Sequence, residues 1–283
     1  MQEPGDTQIP PEALGNEAPR SEGDTYKGLA DHWERVVGAK GKEDRANFLV
    51  GVLKEKGSEK VFDAGLGIGL DTLSLKQAGF NVTSNEIDGE FRRKAVENAA
   101  KESVELDITT YDWRDLSGFE SESVDAVVLM GNSLTQLFGR ENQLQAVSEF
   151  RRILRLGGVL IIDERNYQTI LDDRENIIKD PINNFKLRYN GVGGSAEKGR
   201  TTYSSEGGVI GILPEITDSK VVVSYVDTKQ ENKVLGSLEV YPFKRGDLQN
   251  LLRDAGFRLF GMYSDMIPGF DPKADFYEYV AMK

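Results

Sequence analysis

The sequence has no cysteine and a single histidine, His32. The first absence excludes disulfides and thiolate metal sites, and the second argues against hydrolases built on a catalytic triad or a zinc ion. No apolar run approaches the roughly 18 residues of a transmembrane helix. The opening residues also lack the order of basic, apolar and small residues that marks a secretory signal. These absences predict a cytoplasmic protein with no membrane partner and no bound metal.

Positive charge is also scarce, because 35 Lys and Arg face 47 Asp and Glu, for a formal net charge of −12. A nucleic-acid substrate requires a basic stripe against the phosphates, and none is visible. We therefore expect a small-molecule substrate. The acidity is explained equally by solubility and by adaptation to high internal salt, and composition leaves a monomer or a homo-oligomer open.

Composition divides the 283 residues into four segments. Residues 1–22 carry Pro, Gly and acids with little to bury, which predicts a disordered tail. Residues 23–171 read as a cofactor-binding core with an N-terminal cap. Residues 172–220 are rich in Asn, Gly, Ser and Thr and too long for a plain loop, which predicts an inserted lid of antiparallel strands. Residues 221–283 are expected to complete the sheet.

The core has the pattern of an α/β protein. Its apolar runs are unbroken, as in parallel strands buried on both faces, and lie at 60–64, 81–87, 103–109, 124–130 and 158–163. Further strands are predicted at 186–189, 200–203, 221–227, 238–241, 258–264 and 276–282, with a helix at 244–255. The fold class is therefore a doubly wound, Rossmann-like, seven-stranded and mostly parallel sheet. Apolar spacing between Tyr26 and Lys56 predicts a cap helix, a break at 38–42, and the first helix of the core.

The first strand runs into Asp63-Ala-Gly65-Leu-Gly67-Ile-Gly69. Glycines allow positive φ and let a ligand approach the backbone, although such a turn can also be only a tight strand-to-helix connection. A nicotinamide-binding loop needs G-x-G-x-x-G, which this spacing does not match. A carboxylate at the strand tip disfavours a pyrophosphate and suits a cationic ligand. The string resembles the first glycine motif of class I S-adenosylmethionine methyltransferases.

The second strand ends in Glu86-Ile87-Asp88. An acidic side chain at this strand tip holds the ribose hydroxyls of a nucleoside cofactor. Glu86 is the favoured candidate, and Asp88 is its competitor. Asp88 lies past the strand, where an Asx residue commonly caps the next helix.

Polar segments follow the third, fourth and fifth strands at 110–113, 130–133 and 163–167. Carboxyl ends of parallel strands meet at one edge, where open α/β sheets bind ligands. Each segment also has a structural interpretation: Trp113 as core, Asn132 as a turn residue, and Arg165 as a partner of Asp163 or Glu164. Their joint placement favours a binding site.

At these segments the chain resembles the glycine N-methyltransferase family, which includes the glycine/sarcosine and sarcosine/dimethylglycine enzymes of betaine synthesis. The resemblance spans about 26–283 with a gap at the lid, and its most specific string is Arg165-Asn166-Tyr167 followed by Ile170-Leu171. It implies S-adenosylmethionine as cofactor, S-adenosylhomocysteine as product, and glycine, sarcosine or dimethylglycine as substrate. Direct methyl displacement needs little acid–base help, which suits a chain with one histidine.

The resemblance and the motifs together assign candidate residues. The cofactor set is Asp63, Gly65, Leu66, Gly67, Gly69, Glu86, Ile87, Asp112, Trp113, Met130 and Trp33, with Asp112 and Trp113 implied to border the adenine. The substrate set is Arg165, Asn132, Tyr26, Tyr167, Tyr241 and Gln136. The catalytic set is Asn132, Arg165, Tyr189 and Tyr225. Arg165 is implied to clamp the substrate carboxylate with its planar fork, assisted by Asn132.

Two departures from the family pattern bear on substrate choice and cofactor binding. The family's cap arginine aligns near Gly41, so Lys40, Lys42 or Arg45 is expected to replace it. Gln136 stands where the animal glycine enzyme has histidine.

Three other functions stay open: methylation of another carboxylated amine, non-catalytic S-adenosylmethionine binding, and a nicotinamide oxidoreductase. The last is disfavoured by the glycine spacing and by the lack of a Tyr-x-x-x-Lys pair.

Overall fold

A computed structural model of the chain describes residues 28–181 and 208–283. The predicted tail at 1–22 and the predicted strands at 186–189 and 200–203 lie outside these residues. The described part contains a large mixed sheet and a separate sheet of three antiparallel strands.

The large sheet has the strand order β10-β9-β11-β5-β4-β1-β2-β3, in which β1 to β5 run parallel and β11 is antiparallel to both neighbours. Its strands are β1 (Lys60–Asp63), β2 (Asn81–Asn85), β3 (Asp107–Thr109), β4 (Val124–Leu129), β5 (Leu154–Arg165), β9 (Arg258–Ser264), β10 (Ile267–Pro268) and β11 (Phe276–Met282). The predicted Rossmann-like, mostly parallel fold is confirmed. The two-residue β10 makes the sheet eight-stranded rather than seven-stranded.

Helices cover both faces of this sheet. The helices of the described residues are α1 (Trp33–Glu55), α2 (Leu70–Gln77), α3 (Gly89–Lys101), α4 (Arg140–Ile153), α5 (Tyr167–Asp172), α6 (Arg174–Lys179) and α7 (Asp247–Asp254). Strands β4 and β5 are apolar on both sides because one face packs under α4 and α7 while the other packs under α1 and α2. The unbroken apolar runs that predicted these strands therefore reflect double burial.

The predicted break at 38–42 is wrong, because α1 runs without interruption from Trp33 to Glu55. Within the described residues it is preceded by a short 3₁₀ turn, Ala30–His32. A glycine inside a helix costs about 1 kcal/mol, which packing can offset, and Gly41 is buried. The predicted cap helix and first core helix are thus one element.

The sequence predicted that the strands after residue 220 complete the large sheet, but residues 221–240 do not join it. β6 (Val209–Ile216), β7 (Val221–Asp227) and β8 (Lys233–Val240) pair with one another to form the three-stranded sheet. All seven residues of β7 are buried. Val221, Val223 and Tyr225 pack over the cap and the glycine loop, whereas Val226 packs in a separate cluster within the small sheet. The antiparallel unit therefore extends past residue 220, where the sequence divided lid from core.

The cap is attached to the small sheet by an ion pair as well as by apolar contacts. Arg35 Nη1 donates to Asp227 Oδ2 over 2.9 Å, and Asp227 is fully buried. Lys229 N and Gln230 Nε2 also donate to this carboxylate. These hydrogen bonds hold its pKa below the usual range, with that from Arg35 the largest cause.

Candidate active site

The loop Ala64–Gly69 lies between the carboxyl end of β1 and the start of α2. Gly67 and Gly69 have φ of 54° and 90°, in the left-handed region that favours glycine. Gly65 does not share this φ, so its role is spatial: a Cβ there would lie 3.2 Å from Leu129 Cδ1. Two glycines thus make the turn, and the third permits a close approach of the backbone to β4.

Asp63 lies beneath this loop and is buried. Gly65 N donates to its Oδ1 at 3.2 Å, and Thr72 Oγ1 donates to its Oδ2 at 2.5 Å. Burial, together with the negative charge of the nearby Asp71, raises the pKa of Asp63 to about 7. A cationic ligand bound beside the glycine loop would favour the ionised form of Asp63.

Glu86 faces the same loop from the tip of β2 and is half-buried. Gly67 N donates to its Oε2 at 2.9 Å, and Asp88 N donates to its Oε1 at 3.0 Å. Burial raises its pKa to about 7. Asp88 Oδ1 instead accepts from Glu90 N and Phe91 N, which makes Asp88 the N-cap of α3. The geometry therefore separates the two candidates: Glu86 faces the loop and Asp88 caps the helix.

The segment after β3 is held by a residue that the sequence did not single out, the buried Asn85. Its Oδ1 accepts from Thr109 Oγ1 and Tyr111 N, and its Nδ2 donates to Tyr111 O at 3.0 Å. Trp113 Nε1 donates to Ala64 O at 2.7 Å, and the indole lies edge-on to Phe150. The segment is thereby tied to the glycine loop.

Asp112 and Ile87 lie at the outer side of this cleft. Asp112 is exposed, and its carboxylate is bound by the forked guanidinium of Arg114, which lowers the pKa of Asp112. Ile87 is 64% exposed and offers an apolar surface beside Glu86. Leu66 and Met130 are buried in the apolar core instead.

The ends of β4 and β5 are locked together by Asn132, which adopts φ of 63°. Its Oδ1 accepts from Arg165 N at 3.0 Å, and its Nδ2 donates to Tyr167 Oη at 2.6 Å. Asp163 accepts from the N–H groups of Gly131 and Asn132 at 3.0 and 2.6 Å. The strained turn is thus fixed on both sides.

Arg165 ends β5 with its guanidinium carbon 4.2 Å from the centroid of the Phe276 ring. The residue is 8% exposed. Tyr167, a predicted substrate contact, is 1% exposed, and its hydroxyl is bound to Asn132. In this structure Tyr167 supports Asn132, and Arg165 is the cation at the strand end.

Arg45, on α1, reaches the start of α2 directly after the glycine loop. Its Nε donates to Asp71 Oδ1 at 2.8 Å, and both side chains are 12% exposed. The positive charge of Arg45 partly offsets the effect of burial on the pKa values of Asp63 and Asp163. Burial still raises the pKa of Asp163 to about 6. Lys42 instead forms an ion pair with Glu102, with 3.8 Å between Nζ and Oε1. Of these two, the geometry favours Arg45 for the role expected near Gly41.

Aromatic residues from α1, α3 and the small sheet meet beside the glycine loop. The Trp33 ring lies edge-on to Tyr225 at 5.4 Å and to Phe91 at 5.7 Å. Tyr225 is 6% exposed and belongs to the apolar cluster that contains Ile68 of the glycine loop. The structure thus joins a predicted cofactor residue and a predicted catalytic residue.

Gln136 and Tyr241 belong to two segments that meet beyond the end of β4. Gln136 ends the 3₁₀ turn Ser133–Gln136, and Tyr241 N donates to Thr135 O at 2.6 Å. The Tyr241 ring lies edge-on to Phe243 at 5.3 Å. Tyr26 and Tyr189, two further predicted residues, lie outside the described residues.

The described ranges 28–181 and 208–283 contain no cluster of His, Asp and Glu that could hold a metal ion. Over the same ranges, no helix is both long and apolar enough to cross a bilayer.

The sequence of this chain is similar to those of known methyltransferases. Residues 62–162 match a family described as a methyltransferase domain. Glycine/sarcosine N-methyltransferase of Aphanothece halophytica is 29% identical over 91% of this chain and 89% of its own length. Glycine/sarcosine/dimethylglycine N-methyltransferase of Actinopolyspora halophila is 27% identical over 90% of this chain and 42% of its own length.

The fold has solved counterparts. An S-adenosylmethionine-dependent methyltransferase from Clostridium acetobutylicum superposes with a TM-score of 0.65, covering 91% of this chain and 98% of that one. At 14% sequence identity, this likeness supports the class I methyltransferase fold alone.

Proposed function

We propose that this chain, a class I methyltransferase that resembles the glycine N-methyltransferase family, uses S-adenosylmethionine to methylate the nitrogen of a small amino acid. The substrate class comprises glycine, sarcosine and dimethylglycine, whose successive methylation ends in glycine betaine. The proposal includes a cytoplasmic location and a small-molecule substrate rather than a nucleic acid. The observation that carries it is Arg165, a buried guanidinium at the strand end, locked through Asn132.

The described residues fit the proposed cofactor. Glu86 retains acceptor capacity beyond its two backbone contacts, because a carboxylate has about four lone-pair sites for hydrogen bonds. It would accept from the ribose hydroxyls, with Ile87 beside the adenine. The raised pKa of Asp63 signals a carboxyl that a cationic ligand would help to ionise. When bound, the cofactor supplies an electrophilic methyl group on a sulfonium.

Arg165 would receive the carboxylate of the substrate with two parallel hydrogen bonds. Asn132 holds the Arg165 backbone, so the fork starts from a fixed point rather than from a mobile loop. With the carboxylate anchored, the neutral amine is directed toward the methyl group. Positioning of this kind can supply about 7–11 kcal/mol of barrier reduction. The Tyr225 hydroxyl is proposed to stabilise the partial positive charge on the transferred methyl.

Methyl-transfer assays with glycine, sarcosine and dimethylglycine test the function. The expected result is a gain of one methyl mass in at least one product and equimolar S-adenosylhomocysteine. The methyl ester and amide of the best substrate serve as matched controls and should fail, because they lack the carboxylate that Arg165 binds.

Two results would contradict the proposal. Cofactor binding by calorimetry without transfer to any of the three amines would favour a non-catalytic binding protein. Saturable binding of a nicotinamide dinucleotide, with none of S-adenosylmethionine, would overturn the cofactor assignment.

A further inference from the structure

A second cavity lies on the opposite face of β5 from Asp163 and Arg165. Side chains alternate along a strand, so Glu164 points away from its two neighbours. The cavity has a volume of about 210 Å³ and lies between β5, α7, β9 and β11. Its lining residues are Glu164, Arg245, Gly246, Gln249, Met262, Phe270, Tyr277 and Tyr279.

Glu164 presents an unsatisfied oxygen in this cavity wall. The residue is 3% exposed, and Tyr279 Oη donates to its Oε1 at 2.7 Å. Its Oε2 is buried and has no hydrogen-bond partner in the part of the chain that the structure describes. A buried acceptor left unpaired costs about 1–3 kcal/mol, and more when charged. Such a group is an exception that calls for a partner.

Burial, together with the negative charges of Asp247 and Asp163, raises the pKa of Glu164 to about 8. No cation among the residues that the structure describes forms an ion pair with this carboxyl. A ligand that brings a positive charge would relieve both the missing hydrogen bond and the desolvation.

The remaining wall has aromatic and cationic parts. Phe270 stacks on Tyr277 with centroids 5.6 Å apart and an interplanar angle of 23°. The exposed guanidinium of Arg245 lies 5.7 Å from the Phe270 centroid. Aromatic faces beside a carboxyl suit an ammonium group, and an exposed guanidinium suits a carboxylate.

We propose that this cavity binds a small zwitterion, with its ammonium group on Glu164 and its carboxylate on Arg245. A ligand with a single charge would bind only one side of the cavity. A simple carboxylate would leave Glu164 without a partner, and a simple amine would make no contact with Arg245. The site is distinct from the strand-end cleft and does not depend on the function proposed for that cleft.

Sarcosine is a suitable probe because it carries both charges on a few atoms. The chain has five methionines, and Met262 lines the cavity with its sulfur 3.5 Å from Gln249 Nε2. Methionine methyl groups labelled with ¹³C therefore report on the cavity, whereas Met130 reports on the end of β4. The signals are assigned with Met262→Leu and Met130→Leu.

The titration compares the wild type with Arg245→Gln, Glu164→Gln and Arg165→Gln, with thermal unfolding as a check of folding. The expected result is a saturable shift of the Met262 signal in the wild type and in Arg165→Gln. Arg245→Gln and Glu164→Gln should weaken that binding at least tenfold. The matched control Lys244→Gln removes the same charge one residue away, outside the lining, and should leave affinity within twofold. Acetate, which lacks the ammonium group, should bind at least tenfold more weakly.

An unmoved Met262 signal would overturn the proposal. Equal affinity in Arg245→Gln would do so too, and this variant guards against a folding defect in Glu164→Gln because Arg245 is exposed. Loss of the Met262 shift in Arg165→Gln would show that sarcosine occupies one site only.

Discussion

Replacing Arg165 by lysine tests the proposed substrate site most directly. The change keeps the positive charge but removes the planar fork that receives two parallel hydrogen bonds. It also removes the stack of the guanidinium on Phe276, at 4.2 Å. The backbone hydrogen bond from Arg165 N to Asn132 Oδ1 does not involve the side chain and should persist.

The size of the effect follows from these two losses. A hydrogen bond to a charged group contributes about 1.5–3 kcal/mol, and a desolvated cation–π contact contributes up to about 2 kcal/mol. The stack is already present in the free enzyme, so its loss acts by releasing the side chain from its position. Weakening a buried charge pair in this way predicts a loss of about 2–5 kcal/mol of transition-state stabilisation. At about 1.4 kcal/mol per tenfold, kcat/KM should fall by a factor of about 30 to 5,000.

The assay measures kcat and KM for each amine substrate, together with the calorimetric affinity for S-adenosylhomocysteine. Cofactor affinity should stay within about twofold, because Arg165 lies at the end of β5 whereas the glycine loop and Glu86 lie at the ends of β1 and β2. Arg155→Lys is a matched control in the same strand. Arg155 pairs with Asp125 at the far end of β5, so that variant should keep the wild-type constants.

One result would refute the reasoning. If all three amines keep kcat/KM within about twofold in Arg165→Lys, the loss is under about 0.4 kcal/mol. Arg165 would then be a structural residue stacked on Phe276, and the assignment of an amino-acid substrate would lose its main support.

Three further predictions concern the cofactor site and stability. Glu86→Gln should weaken the binding of S-adenosylhomocysteine about 10- to 100-fold in calorimetry, because a neutral acceptor bonds hydroxyls less strongly than a carboxylate. Asp88→Asn, at the helix cap, should leave this affinity unchanged. The reverse order of effects would assign the ribose contact to Asp88. Arg45→Gln should lower the affinity for the cofactor at least tenfold, whereas Lys42→Gln should change it by no more than twofold. Equal affinities in the two variants would contradict the assignment of Arg45. Several buried carboxyls, Glu164 among them, have pKa values raised to between about 6 and 8. The folded state therefore holds more protons than the unfolded state, and the stability of the cofactor-free protein should fall as pH rises from about 5 to 8. Thermal unfolding across that range checks the sign: Glu164→Gln should flatten the decline, and a rise in Tm with pH would refute the reasoning.

The sequence by itself determined the fold class and the cofactor motif. Unbroken apolar runs mark strands buried on both faces, and D-x-G-x-G-x-G marks a tight turn, because both patterns follow from local chain geometry. The same local logic placed Asp88 as the cap of α3, since a side chain two residues from an amide needs no distant partner. Strands 221–227, 258–264 and 276–282 were also predicted with the observed bounds.

Only the tertiary structure decided which residues act together. The continuity of α1 through Gly41 depends on packing, which offsets the local cost of glycine. Asn85 and Asp163 hold the loops of the cleft through hydrogen bonds to residues 24 to 32 positions away, and no pattern along the chain announces such contacts. Pairing of β7 with β6 and β8, rather than with the large sheet, likewise depends on which apolar surface it meets. Local pattern specifies an element and the face it buries, whereas the partner of that face is set by the folded chain.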